Sequence, residues 1–202
     1  MSGALIASLT GAFLLGGIPF SQLIALRRGV DLRAVGSGNV GATNLTRALG
    51  YGLGAAGLLL DAAKGAAAVL VPRAALGPQA TPVIQGLLAI LAVLGHSFSP
   101  FLRFKGGKGV ATGAGAFAAL APQATLAAAG VFGIVVALTR IVGLASVVAA
   151  LALPMATLLF GAGRAVTTSA ALVSILVIAR HRANLARLVR GTGHRVGAGD
   201  RT

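Results

Sequence analysis

Of the chain's 202 residues, 56% are hydrophobic and 10% are charged, against about 25% charged in soluble domains. So short a chain cannot bury that much apolar surface in one core, which excludes an ordinary soluble domain and places the excess against lipid. Seventeen Lys and Arg against three Asp and Glu give a net charge of +14, and there are no cysteines, which excludes disulfides and thiolate metal sites. In a soluble protein that charge would point to nucleic acid; in a membrane protein it marks cytoplasmic loops and suits anionic ligands.

The first apolar run, residues 4–26, fits one membrane crossing of ~20 residues. No basic segment precedes it, so it reads as a membrane helix and not as a removable signal. After Arg27 and Arg28 comes a glycine-rich polar loop over 29–47. A second run over 50–71 holds Asp61 and Lys64 one helical turn apart and is closed by Pro72 and Arg73. The third, 82–94, is short; a polar stretch over 95–109 follows it. The fourth, 110–120, consists of very small residues and is too short to cross unless tucked against other helices. Runs at 123–138, 141–160 and 165–179 complete seven, and a basic tail begins at Arg180.

These runs predict one all-α domain over residues 1–202: a polytopic bundle of seven transmembrane helices, N-terminus outside and C-terminus cytoplasmic, with a basic tail over 180–202. This topology puts 14 of the 17 positive charges on the cytoplasmic side, and only Arg73 and Arg164 on the other, with Lys64 inside a span. A five-span alternative with re-entrant short segments gives the same sides. Abundant Gly and Ala would let the helices approach closely where no hydrophobic effect drives their association.

Three polar stretches share the cytoplasmic side. In the first, Gly36, Gly38 and Gly41 leave room for backbone N–H groups to converge on a phosphate. Ser37, Asn39, Thr43 and Asn44 add polar side chains, and Arg47 can clamp two oxygens. The Gly-x-Gly-x-x-Gly spacing is not a dinucleotide fingerprint here, because a membrane bundle supplies no strand–helix–strand unit. In the second, Lys105 and Lys108 stand among Gly106, Gly107 and Gly109 just before a helix start, an anion-binding arrangement without P-loop spacing. His96 precedes it and Thr112 follows. In the third, Arg180, Asn184 and Arg187 share a helical face, and the segment could equally be an amphipathic helix on the anionic leaflet.

Asp61 and Lys64 are expected to pair, Asp61 serving packing, while Lys64 either shares that role or lines the cavity. Scattered histidines and acids make a metal site unexpected. His96 and His181 could each titrate near neutrality. A missing Gly-x-Ser-x-Gly and a shortage of acids exclude a serine triad.

In length, hydropathy and motif order the chain resembles the bacterial acyl-phosphate:glycerol-3-phosphate acyltransferases, the membrane enzymes called PlsY. Residues 36–44 look like that family's first motif, 95–112 its second and 181–188 its third; Asp61, Lys64 and Gly65 also match. The resemblance implies a seven-helix bundle in the bacterial inner membrane with the active site at the cytoplasmic face. It implies acyl transfer from acyl phosphate to the 1-hydroxyl of glycerol 3-phosphate, giving lysophosphatidate and phosphate, the first step of phospholipid synthesis. No cofactor, metal or nucleic acid is expected, and the protein is expected to be a monomer in the bilayer. Carried over by motif, Ser37, Arg47, Lys105, Asn184 and His181 are the candidate catalytic residues. Gly38, Asn39, Gly41, Thr43, Asn44, His96, Gly106, Gly107, Lys108, Gly109, Thr112, Ser146 and Arg187 are the candidate substrate contacts. The sequence departs from the pattern at Gly193, where an acid is usual, and at Gly143, where the first of two serines would stand.

An acyl phosphate is already activated, so the site needs to hold two anions together and aim a hydroxyl at a carbonyl. Clustered cations and backbone amides would offset the repulsion, and a substrate phosphate could accept the proton. Two rivals are an anion transporter, disfavoured by charge gathered on one face and the lack of a repeat, and a membrane scaffold, which leaves the glycine–hydroxyl loops unexplained.

Overall fold

Pro19 breaks the first apolar run in two. In the computed structural model, which describes residues 2–192, helix α1 spans Gly3–Gly17 and α2 spans Phe20–Leu26, with a bend of 40° between them. Proline lacks the N–H that would continue the helix and its ring crowds the preceding turn. The carbonyls freed at the break are recovered by side chains from elsewhere. Ser99 Oγ donates to Gly17 O at 2.6 Å and Lys64 Nζ donates to Ile18 O at 2.5 Å.

Two further departures from the sequence reading lie in the next segments. The glycine loop ends in a short amphipathic helix, α3 (Ala42–Leu49), which buries Leu45 and Asn44. Helix α4 (Tyr51–Leu76) does not stop at Pro72 but runs one turn past it. The missing proline N–H costs one helical bond, that to Ala68 O, and the turn beyond it is closed by the Gly77 N–H donating to Arg73 O. The remaining helices are α5 (Pro82–Ser97), α6 (Val110–Leu120), α7 (Pro122–Thr139), α8 (Val142–Leu159), α9 (Arg164–Arg180) and α10 (Arg182–Val189). The described residues contain no strand.

Four helical stretches are long and apolar enough to cross a membrane: 51–79, 82–102, 122–139 and 142–159; α1 with α2 makes a fifth if the bent pair is one span. Helix α6 has 11 residues, too few to cross alone. It lies against α4, α5 and α7, with Thr112, Gly113, Gly115, Ala116 and Phe117 buried.

Backbones touch where glycines allow it. A Cβ on Gly65 of α4 would come within 2.0 Å of Thr112 O, and one on Gly115 of α6 within 1.8 Å of Ala62 O. The α1–α5 pair is keyed the same way by Gly16 against Ala92 and Gly95 against Phe13. Close van der Waals packing of this kind substitutes for the hydrophobic effect between helices in lipid.

Candidate active site

The glycine loop after α2 is shaped from within. Asn44, 2% exposed, uses its whole amide on the loop backbone. Its Nδ2 donates to Leu32 O and Val35 O, both at 3.0 Å, and its Oδ1 accepts from Ser37 N at 3.0 Å. The sequence reading placed Asn44 among the ligand contacts; its hydrogen bonds here hold the turn that presents Ser37. Gly36 and Gly38 have positive φ, 56° and 70°, which side-chain-bearing residues rarely adopt. Gln22 of α2, which sequence reading missed, anchors the loop's start. Its Nε2 donates to Asp31 Oδ1 at 2.8 Å and its Oε1 accepts from Leu32 N at 3.1 Å. Asp31 also pairs with Arg33 at 2.8 Å, and the Arg33 side-chain hydrogen bond holds the Asp31 carboxyl well below the usual carboxylate range.

The glycines of the second motif serve packing. Gly106 N donates to Ser97 O at 3.2 Å and Gly107 N to His96 O at 3.0 Å, laying the loop along the end of α5. Gly109, at φ 82°, is the left-handed cap of α6. His96 itself lies in a buried cluster. Its Nδ1 is 3.1 Å from Thr112 Oγ1 and 3.8 Å from Asp61 Oδ1. Asp61 pairs with Lys64 at 2.8 Å and accepts from Ser21 Oγ at 3.0 Å. Lys64 donates to Ile18 O and is not among the residues lining the cavity described next, which supports the packing reading.

Where the polar stretches meet, a cavity of about 130 Å³ opens. From the first motif it is lined by Ser37, Asn39, Gly41, Thr43, Asn44 and Arg47; from the second by His96, Lys108 and Gly109. The third motif contributes His181, Asn184 and Arg187, and α8 contributes Gly143 and Ser146. Gly38, Gly106, Gly107 and Thr112 lie outside the lining and shape its walls. Lys105 is exposed and also outside it, so the cation that the second motif brings to the cavity is Lys108.

Lys108 is tied across the cavity: its Nζ donates to Asn184 Oδ1 at 2.5 Å, and Arg187 donates to the same oxygen at 3.1 Å. Burial, and then the charges of Arg187, Arg47 and Arg180, lower the Lys108 ammonium to about 8. His181 is 3% exposed. Its Nδ1 lies 2.8 Å from Val177 O, which can only accept, so Nδ1 holds the hydrogen and a neutral ring has Nε2 as its acceptor. Gly143 is where Asn184 rests: a Cβ there would fall 2.6 Å from Asn184 Nδ2. Ser146 is occupied by Val142 O at 2.8 Å. Gly193 lies outside the described residues.

Three helices also start at this cavity. The first residues of α3, α6 and α8 line it, and no side chain caps any of the three N-termini. Each leaves backbone N–H groups and the positive end of a helix dipole. With Arg47, Lys108 and Arg187, they make a site for more than one negative charge. The lining acid, Asp61, is already paired. Leu58, Phe132, Leu144 and Leu188 supply an apolar wall, which periodicity could not single out among so many apolar residues.

Known proteins resemble this chain in sequence and fold. The glycerol-3-phosphate acyltransferase family model matches residues 6–191. A glycerol-3-phosphate acyltransferase of Jannaschia sp. is 44% identical over 97% of this chain and 96% of its own. One from Geotalea daltonii is 42% identical over 93% of this chain and 95% of its own. The crystal structure of PlsY (YgiH), an integral membrane glycerol 3-phosphate acyltransferase, in its glycerol 3-phosphate form superposes with a TM-score of 0.91 at 38% identity, covering 96% of each chain. Its lysophosphatidic acid form gives 0.89 at 37%. The chain therefore belongs to the glycerol-3-phosphate acyltransferase family and is a multi-pass membrane acyltransferase of phospholipid synthesis.

Proposed function

We propose that the enzyme transfers the acyl group of an acyl phosphate to the 1-hydroxyl of glycerol 3-phosphate, giving lysophosphatidate and inorganic phosphate. The convergence of three cations and three uncapped helix N-termini on one cavity supports this reading most directly. Such a site suits two phosphate-bearing substrates, whereas an acyl thioester would bring no phosphate to the reacting carbonyl. Arg47, Lys108, Arg187 and the amides after Gly41 and Gly109 hold the phosphates. Ser37, Asn184 and His181 Nε2 orient the acceptor hydroxyl. The hydroxyl oxygen attacks the acyl carbon, the bond from that carbon to the phosphate oxygen breaks, and the departing phosphate takes the proton. No covalent enzyme intermediate is needed.

The proposal extends to topology. Seven segments, α1 with α2 and then α4 to α9, form the transmembrane helices of a monomer in the bacterial inner membrane, α6 tucked against its neighbours, with the N-terminus outside and the cavity at the cytoplasmic face. The arginines and lysines gathered around the cavity and its loops support that side.

Purified protein supplied with labelled glycerol 3-phosphate is expected to form lysophosphatidate from palmitoyl phosphate and none from palmitoyl-CoA. Product from the thioester alone would overturn the donor assignment.

A pH dependence follows from Lys108. Protonated Lys108 binds phosphate, and in the empty site it loses its proton through about 8. A phosphomonoester becomes a dianion above about 6. Affinity for glycerol 3-phosphate, followed by calorimetry, should therefore peak between these values and fall on the alkaline side. Lys108→Arg should retain affinity up to higher pH; an identical alkaline fall in that variant would remove Lys108 from the account.

A further inference from the structure

The second-motif loop is gripped from a direction that its own sequence does not announce. Arg180, the last residue of α9, donates from Nε to Gly107 O at 3.2 Å and from Nη2 to Gly106 O at 2.9 Å. Its guanidinium lies 5.3 Å from the centre of the Phe98 ring, a cation–π seat that fixes the fork's plane. The N–H groups of the same two glycines are bound on the other side by Ser97 O and His96 O. The two glycines are thus held between the ends of α5 and α9, and Lys108 is the next residue. Four residues beyond Arg180, Asn184 holds the tip of Lys108. One helix corner therefore sets both the backbone and the ammonium of this lysine.

We infer that Arg180 is a positioning residue for glycerol 3-phosphate binding, fixing Lys108 at the cavity by clamping the carbonyls of Gly106 and Gly107. Arg180 does not line the cavity, so it acts through the loop. Two successive carbonyls match a rigid fork of two nitrogens; a lysine at this position keeps the charge but presents its donors from one nitrogen on a flexible stem. The substrate named here rests on the proposed function, while the clamp itself is readable without any substrate.

The first test needs no ligand. Amine labelling of Lys108, followed by mass spectrometry on the folded protein in detergent, should accelerate about fivefold or more in Arg180→Gln, as a hydrogen-bonded, partly buried amine is released. Lys105, already exposed, should keep its rate. An unchanged Lys108 rate overturns the clamp. The second test is a double-mutant cycle on glycerol 3-phosphate affinity. Arg180→Gln and Lys108→Gln should each weaken binding by about tenfold or more, and the double variant should be no more than about threefold weaker than Lys108→Gln alone. In turnover, Arg180→Gln should raise KM while kcat stays within about threefold, and Arg180→Lys should recover part of the loss. Multiplicative losses in the cycle would overturn the inference, because Arg180 would then act independently of Lys108. Faster Lys108 labelling together with no glycerol 3-phosphate binding by the wild type would uphold the clamp and remove the substrate reading instead. Should Arg180→Gln not fold, Arg180→Lys is labelled and cycled in its place, with the same directions expected.

Discussion

Gly106→Ala is expected to reduce kcat/KM by about 100-fold, the scale on which a shift of about 1 Å in a positioned group is felt. A methyl at Gly106 would stand 2.0 Å from His96 O and 3.0 Å from Ser97 C. These are backbone atoms at the buried end of α5, so the clash cannot be relieved by swinging a side chain. The loop must lift, which breaks the Gly106 N–H to Ser97 O and draws the Arg180 fork off its carbonyls. Lys108 then leaves the position from which it meets Asn184. The steric argument is checked by Gly130→Ala in α7, where an added Cβ meets nothing within 4 Å and α-helix propensity improves. That variant should keep wild-type rates and be slightly more stable. Wild-type kcat/KM in Gly106→Ala would show that the loop adapts freely and that its glycines are dispensable.

Asp61→Ala should lower stability in detergent by roughly 3–5 kcal/mol, because it leaves the ammonium of Lys64 buried without its partner. Asp61 and Lys64 are 2% and 3% exposed, and their charged groups lie 2.8 Å apart. Lys64 also caps Ile18 O at the α1–α2 break, and Asp61 accepts from Ser21 of α2, so both sides of that break depend on the pair. Replacing both charges with apolar groups of similar size, Asp61→Leu with Lys64→Met, removes the uncompensated charge and should recover at least half of the loss. Thermal unfolding of the three proteins decides the matter. A loss below about 1 kcal/mol in Asp61→Ala would mean that the pair is not held as the structure places it.

The membrane class, the seven apolar runs and the three motifs were legible because each rests on composition or on a local pattern. Helix α3 was not, because its eight residues sit inside a glycine-rich stretch whose turn signals hide a short amphipathic period. The bend at Pro19 was passed over because the run around it is apolar throughout, and apolarity says nothing of helix continuity. Conversely, Pro72 looked like an end but is carried within the last turns of α4 with the loss of one helical hydrogen bond. Among the candidate site residues, chemistry identified which types would matter, and the fold shows which of them stand together. Lys105 and Lys108 stand three residues apart in one glycine loop, and the sequence reading put Lys105 at the chemistry and Lys108 among the contacts, yet of the two only Lys108 lines the cavity. Asn44 and Asn184 are likewise both amides in motifs. Asn44 is bound wholly by its own loop, while Asn184 reaches Lys108, 76 positions away in the chain. Gln22 gave no local signal, since its partners, the Leu32 N–H and the Asp31 carboxylate, lie in the loop that follows. Arg180 stood out only as part of a basic helical face, because the carbonyls it binds belong to a loop far away in the chain.

The most direct test of the anion cavity is the initial rate of lysophosphatidate formation in detergent as a function of glycerol 3-phosphate, at fixed palmitoyl phosphate, for the wild type, Arg47→Ala and Lys108→Ala. Loss of one charge-assisted contact to phosphate is worth about 2–3 kcal/mol, or roughly 30- to 150-fold. The wild type should saturate, and each variant should lose kcat/KM by that factor while remaining folded. Folded variants with wild-type kcat/KM would contradict the account, because the converging cations would then not be the glycerol 3-phosphate site.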